Sequence, residues 1–250
     1  PPQAKGQQAW EKFAVPAPSP AGRPMIAIII DDMGLDRRRS ERVLQLPGPL
    51  SISFMSYAED LVRQTTEAKA RGHELMMHVP MEPLSEEVDA GPGVLSESSS
   101  ESELRQRIVS DLDRFTGYVG INNHMGSKFT AFAPGMRLLM AELHRRGLLF
   151  IDSMTTEHSV GMALSRQAGV PSAARNVFLD NDADIASVKT QLTRLEDLAR
   201  HQGMAVAIGH PRDATIAALA VWLPSLAEKG LVLVPVTAIV RNRSNQTVGR

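Results

Sequence analysis

Two adjacent carboxylates, Asp31 and Asp32, follow directly on the apolar run at residues 25–30. Neighbouring carboxylates repel, and one is driven toward its neutral form unless a cation or hydrogen-bond donors separate their roles. A divalent metal does this: one aspartate ligates it while the other works as a base. Helix N-capping is the structural alternative for either residue alone. Three histidines stand at comparable places: His78 in HELMMHVPMEP, His124 in INNHMGS and His210 in AIGHP. For His78, a satisfied core or rim position competes with a ligand role. His124 could bind metal, and Asn122 or Asn123 beside it could orient a carbonyl; an Asx-turn network is the alternative for that stretch, which ends in Ser127. His210 is held between Gly209 and Pro211, and an imidazole so fixed suits acid–base work because its pKa lies near neutrality. Asp152 and Ser153 could join the site or cap a helix. Asp180-Asn181-Asp182 also follows a strand, lacks the ligands of an EF-hand loop and reads as a turn and cap for the helix after it, with a place at the border of the site as the alternative.

The elements that must position these residues alternate between strand and helix. Apolar or β-branched runs predict strands at 25–30, 50–54, 74–78, 118–121, 148–151, 175–179, 204–208 and 231–235. Between them, helical spacing predicts helices at 37–45, 59–71, 101–114, from Pro134 to Gly147, and at 159–167, 186–201 and 214–228. Residues 83–100, rich in Gly, Pro, Ser and acids, form a long loop. Such alternation builds a mostly parallel sheet, either open and doubly wound or closed into a barrel. In both, the C-terminal strand ends share one face, and active sites sit there. Asp31, Asp32, His78, Asn122, Asn123, His124, Asp152 and His210 all fall at such ends. No GxGxxG or GxxxxGK[ST] phosphate loop is present, which disfavours nucleotide binding.

Composition narrows the setting. The 250 residues carry 27 basic against 28 acidic side chains, so no field of one sign draws nucleic acid or an anionic membrane. There is no cysteine, which excludes disulfides, thiol catalysis and thiolate metal sites. The longest apolar run is far shorter than the roughly 18 residues of a membrane span. Residues 1–24 read as a Pro/Ala-rich linker or tail in which Trp10 and Phe13 could dock on the domain, residues 25–240 as the domain, and residues 241–250 as a polar, frayed tail. The chain begins with Pro-Pro rather than Met, so a targeting segment or anchor is expected to have preceded it.

The order IAIIIDD, GHELMMH, NNHMGS, FIDS and IGHP resembles the polysaccharide deacetylase superfamily, most closely its divergent branch. The resemblance runs from about Met25 to Val240, and HVPMEP, GVGINNHMGSKFT and FLDND are its most specific stretches. It implies a distorted α/β barrel, (β/α), of about seven to eight mostly parallel strands. It also implies a base at Asp31 and a metal ligand at Asp32. Gly72-His73-Glu74 matches the opening of the family's second motif and His78 its first metal histidine. Glu82 stands where the second is usual, and His124 could supply the missing nitrogen. The family's arginine is absent, with Lys128 or Arg175 as candidate substitutes. Asp152 matches the fourth motif, and His210 the position of the acid histidine.

The combined expectation is a divalent metal, zinc by its ligand set of Asp32, His78 and His124, with Asp31 as base, His210 as acid and Asp152 as its helper. Glu82, Asn122, Asn123 and Ser127 are weaker candidates for substrate contact. The expected reaction is hydrolysis of an N-acetyl group on a cell-envelope glycan, in a bacterial periplasm. A metal-containing binding domain without catalysis, and a hydrolase of esters or peptides, are the alternatives.

Overall fold

The computed structural model describes residues 7–248, with side chains through Ser244. A single helical turn, α1 (Ala9–Lys12), precedes β1 (Met25–Met33). Then come α2 (Arg37–Leu44), β2 (Ser51–Met55), α3 (Leu61–Ala70), β3 (Glu74–Met81) and α4 (Glu101–Leu112). The second half runs β4 (Gly120–Met125), α5 (Ala133–Arg146), β5 (Leu149–Asp152), α6 (Gly161–Ala168), β6 (Ser172–Ala174) and β7 (Val177–Phe178). It closes with α7 (Ile185–Gln202), β8 (Met204–Gly209), α8 (Asp213–Ser225), β9 (Val232–Leu233) and α9 (Val236–Val248). Local chemistry sets several boundaries. Ser100 and Glu103 form a reciprocal capping box at the start of α4. Gly147 ends α5 at φ +66°, a left-handed position that glycine takes without strain.

All strand pairings are parallel, in the order β6-β5-β4-β3-β2-β1-β8-β7. The two edge strands are separated in sequence by Arg175 and Asn176 alone. The Arg175 N–H donates to Asp152 O on β5, and the Asn176 N–H to Val206 O on β8. Two residues can bridge the ends of an eight-strand path only if the sheet curls back on itself, so the sheet is a barrel with one unpaired seam. β9 pairs with β1 at Met25 and Ile26, ahead of the point where β2 begins at Ile29. β6 is the strand that the apolar pattern misses, because Ser-Ala-Ala offers no β-branched signal.

Alternation along β1 divides two apolar layers. Ile26, Ile28 and Ile30 face the helices, whereas Ala27 and Ile29 fill the barrel with Leu149, Ile151, Val206 and Ile208. A run buried on both faces is what a parallel sheet covered by helices requires. The barrel floor is closed by Val236, Ile239 and Val240 of α9 and by Trp10. Trp10 is 6% exposed, its backbone N–H donates to Gly147 O, and the Arg241 guanidinium lies 5.5 Å from its ring centroid. Thus part of the N-terminal linker docks, and the stretch from Arg241, expected as a frayed tail, instead continues α9. Residues 1–6 and 249–250 lie outside the described residues. At the same floor, buried Glu74 accepts from Ser51 Oγ, Thr237 Oγ1 and the Thr237 backbone N–H. Burial pushes its carboxyl up to about 7 against these donors.

Candidate metal centre and cleft

Adjacent residues of a regular strand point to opposite faces, so Asp31 and Asp32 could not both reach one site on an ideal β1. The strand breaks its rule there. The register between β1 and β2 shifts between Ile30 and Met33, and Asp32 adopts φ +54°. Both carboxylates then line one cleft of about 630 Å³ at the C-terminal strand ends. Met125, at the end of β4, and Met154, just past β5, also take left-handed angles, φ +49° and +51°. Both line the same cleft. For a non-glycine residue this conformation costs roughly 1–2 kcal/mol, and such strain concentrates at functional sites.

Register brings in the histidines. His78 on β3 pairs with Asn122 on β4, and His124 lies two residues further on the same face. His78 Nε2 stands 3.5 Å from Asp32 Oδ1, His124 Nδ1 3.0 Å from that oxygen, and the two nitrogens 3.3 Å apart. Ligands at about 2.0–2.1 Å from a tetrahedral zinc lie about 3.3 Å from one another, so the triangle has the size of a metal cradle. Asp32 Oδ1 is buried and has no aligned hydrogen-bond donor, although His124 Nδ1 is near. The donor set, one carboxylate oxygen and two imidazole nitrogens converging on one point, therefore fits a divalent cation. Burial works to raise the Asp32 carboxyl, but His124 and His78 outweigh it and hold it well below the usual carboxylate range.

Asn122 sits beneath the triangle, fully buried. Its Oδ1 faces His78 Nδ1 at 3.0 Å and accepts from Ser53 Oγ at 2.5 Å. Its Nδ2 donates to both oxygens of Asp31 at 2.9 Å and to Ser153 Oγ at 3.1 Å. An acceptor at His78 Nδ1 places the imidazole proton there and leaves Nε2 free to ligate. Asp31 is 2% exposed. Burial raises its pKa, against the lowering effects of His78, His210 and Asn122.

His210, just past β8, presents Nε2 to the cleft 3.9 Å from Asp32 Oδ2. Its partner is Asp180, not Asp152. Asp180 Oδ1 lies 2.9 Å from His210 Nδ1, and Oδ2 accepts from the His210 backbone N–H and from Thr215 Oγ1. β7 pairs with β8, which sets Asp180 beside His210. Burial works to lower the His210 pKa, but the Asp180 hydrogen bond and the nearby carboxylates raise it overall. Asp152 instead accepts from the Met154 N–H and Ser159 Oγ and shapes the turn into α6. The cap of α7 is Asp184, whose side chain accepts from the Ser187 N–H. Asp180 follows an apolar run as Asp31 follows the run at residues 25–30, and that shared position is the signal for it.

The weaker contact candidates divide. Asn123 lines the cleft, accepting from the Ser153 N–H and donating to Met125 O. Asn122 has no exposed surface to offer a substrate. Glu82 is occupied by Lys128 Nζ, Ser96 Oγ and the Glu97 N–H, and Ser127 Oγ by the Leu84 N–H. These contacts fasten the 83–100 loop. They also remove Lys128 as a substitute arginine, whereas Arg175 does line the cleft. A second cavity, of about 750 Å³, lies at the barrel floor beside α6 and α9, and no His, Asp or Glu lines it.

A curled parallel barrel with Asp-His ligand geometry at its strand ends defines a deacetylase-like α/β protein. The profile described as divergent polysaccharide deacetylase matches residues 28–240, and the chain belongs to that family. It is 36% identical over 207 residues to YibQ of Escherichia coli (strain K12), covering 83% of this chain and 64% of YibQ. It thus spans less than two thirds of that relative. The crystal structure of the Agrobacterium tumefaciens C58 protein ATU2773 superposes with a TM-score of 0.91 at 27% identity, covering 95% of this chain and 97% of that one. The catalytic domain of the peptidoglycan N-acetylglucosamine deacetylase from Eubacterium rectale ATCC 33656 gives 0.53 at 14% identity, over 89% and 91% of the two chains. That likeness is one of fold. Among the described residues no helix is long and apolar enough to cross a membrane.

Proposed function

We propose that the chain is a metal-dependent hydrolase that removes N-acetyl groups from a cell-envelope glycan. The observation that carries this reading is the ligand-sized triangle of Asp32, His78 and His124, flanked by Asp31 and by the His210–Asp180 pair. Asp32, His78 and His124 would hold the ion, and zinc suits the set. Bound there, a divalent ion supplies Lewis acidity to the acyl group and to water. Asp31, buried and with its pKa raised, takes the proton of the attacking water. Asn122 keeps that carboxylate aimed at the cleft. His210 carries the proton to the departing amine from Nε2, while Asp180 holds its Nδ1 and favours the imidazolium. The family resemblance supports a setting for this chemistry in the bacterial envelope, with export to the periplasm.

The test is acetate release from N-acetylated oligosaccharides by zinc-loaded protein. Asp31→Asn and His210→Ala should each lower turnover by about 10²–10⁴-fold and retain zinc, whereas His78→Ala should lose the metal. Turnover that survives both of the first two substitutions would overturn the assignment. Zinc-bound protein that grips glycans but releases no acetate would make it a binding domain.

A further inference from the structure

The cleft has a second lip that the hydrolytic machinery does not use. Arg175, Arg194 and Arg212 line it, together with Phe178. Several arginines elsewhere are paired with acids: Arg39 and Arg42 share Asp213, and Arg145 and Arg146 share Glu142. The three on the lip have no carboxylate within ion-pair distance among the described residues. Arg175 spends Nε and Nη2 on the carbonyls of Ser153 and Met154, and its guanidinium lies 5.1 Å from the Phe178 ring centroid. Phe178 in turn meets the His210 ring edge-on at 5.3 Å. The Arg175 cation is therefore two ring contacts from the proposed proton donor. Arg212 gives Nη1 to the Asp180 carbonyl. Arg194 projects from α7, exposed and without a hydrogen bond. Three guanidiniums thus face the same space as Asp31 and Asp32, in a chain whose net charge is −1. A metal ion would raise the positive balance further.

We infer that this lip recognises a carboxylate, so that the ligand is an acidic N-acylated glycan, a sugar chain carrying a carboxylate on or next to the acylated residue. This rests on the glycan reading of the same cleft. Guanidinium groups are the natural donors for carboxylates, through paired N–H bonds. Phe178 adds an apolar plane on which Arg175 is held and against which a sugar ring can pack.

The experiment uses the full chain, zinc-loaded and carrying Asp31→Asn to suppress turnover, in titration calorimetry. The probes are an oligosaccharide of N-acetylglucosamine and one of equal length that alternates N-acetylglucosamine with a uronic acid. The acidic probe should bind on the order of tenfold tighter at low salt. Arg194→Gln should weaken it about two- to fivefold, as an exposed ion pair does, and leave the neutral probe unchanged. Raising the salt should erase the preference. Equal affinity for both probes, or a preference untouched by Arg194→Gln and by salt, overturns the inference. Acetate release by wild-type protein is read separately. Acid-selective binding without any release would sink the hydrolase reading and leave the carboxylate lip standing.

Discussion

His210 and Asp180 are joined twice: Nδ1 lies 2.9 Å from Oδ1, and the His210 backbone N–H donates to Oδ2 at 2.7 Å. One carboxylate therefore fixes both the ring and the chain that bears it. Asp180 and the nearby carboxylates raise the His210 pKa, despite burial that works against it. The stabilisation of the imidazolium is complete below the ordinary histidine range near 6.5 and is lost as pH rises through the elevated folded-state value. Turnover that needs the His210 proton falls over the same rise. Asp180→Asn should move this alkaline limb to lower pH and reduce the rate at neutral pH by about 10²-fold. NMR titration of the His210 imidazole checks it; an unchanged pKa in the variant would refute the coupling.

Asn122 links the metal side to the base side, and two substitutions separate those links. Asn122→Ala strands the His78 Nδ1–H and the Asp31 oxygens without their partner, at about 1–3 kcal/mol for each buried group. The melting temperature should drop, and zinc affinity should weaken roughly 10–100-fold, as for other residues that orient a ligand. Asn122→Asp keeps an acceptor for His78 but sets a like charge against Asp31. Zinc binding should then survive while turnover does not. Zinc titrations and acetate release on both variants give the answer, and identical behaviour of the two would contradict the split.

Glu74 makes stability depend on pH at the barrel floor. Its folded-state pKa of about 7 stands above the ordinary 4.5, so the folded chain binds the proton more tightly than the unfolded one. That contribution is fully present below pH 4.5 and is lost as pH rises through about 7. The limit is about 3 kcal/mol, at 1.36 kcal/mol per pKa unit. Glu74→Gln cannot ionise, so its stability relative to wild type should climb between about pH 4 and 8, up to about that amount. Urea denaturation at several pH values measures it, and a constant difference across that range would rule it out.

Much of this architecture is legible in residue order. The runs IAIII and MAVAI are apolar on both faces and could only be central strands, and each is followed at once by residues of the site. What hides from such reading is what depends on strand neighbours. Asp152 and Asp180 both follow strands, and only the β7–β8 pairing shows which one meets His210. Asn122 reads as a possible substrate contact until the β3–β4 register sets it opposite His78. Glu82 and Ser127 have polar side chains near the site in sequence, yet loop contacts that sequence spacing does not display take them up. The polar residues from Arg241 onward read as a tail, because nothing in their order displays the packing of Arg241 against Trp10 that continues α9.

The unpaired seam between β6 and β7 gives the cleft two mechanical halves. Asp32, His78 and His124 ride on β1, β3 and β4, strands that each have a paired neighbour on both sides, with one local register shift at Asp32. Arg175 stands in the two-residue link between the edge strands, its N–H tied to Asp152 O, and Phe178 stands on the two-residue edge strand β7. The metal side is accordingly the stiffer gauge, because strands paired on both sides hold its spacing. The arginine side is a compliant jaw, and local opening costs least where hydrogen-bond support is thinnest. On the proposed glycan reading, variation in the size and branching of the bound chain falls to the seam, away from the distances on which the chemistry depends.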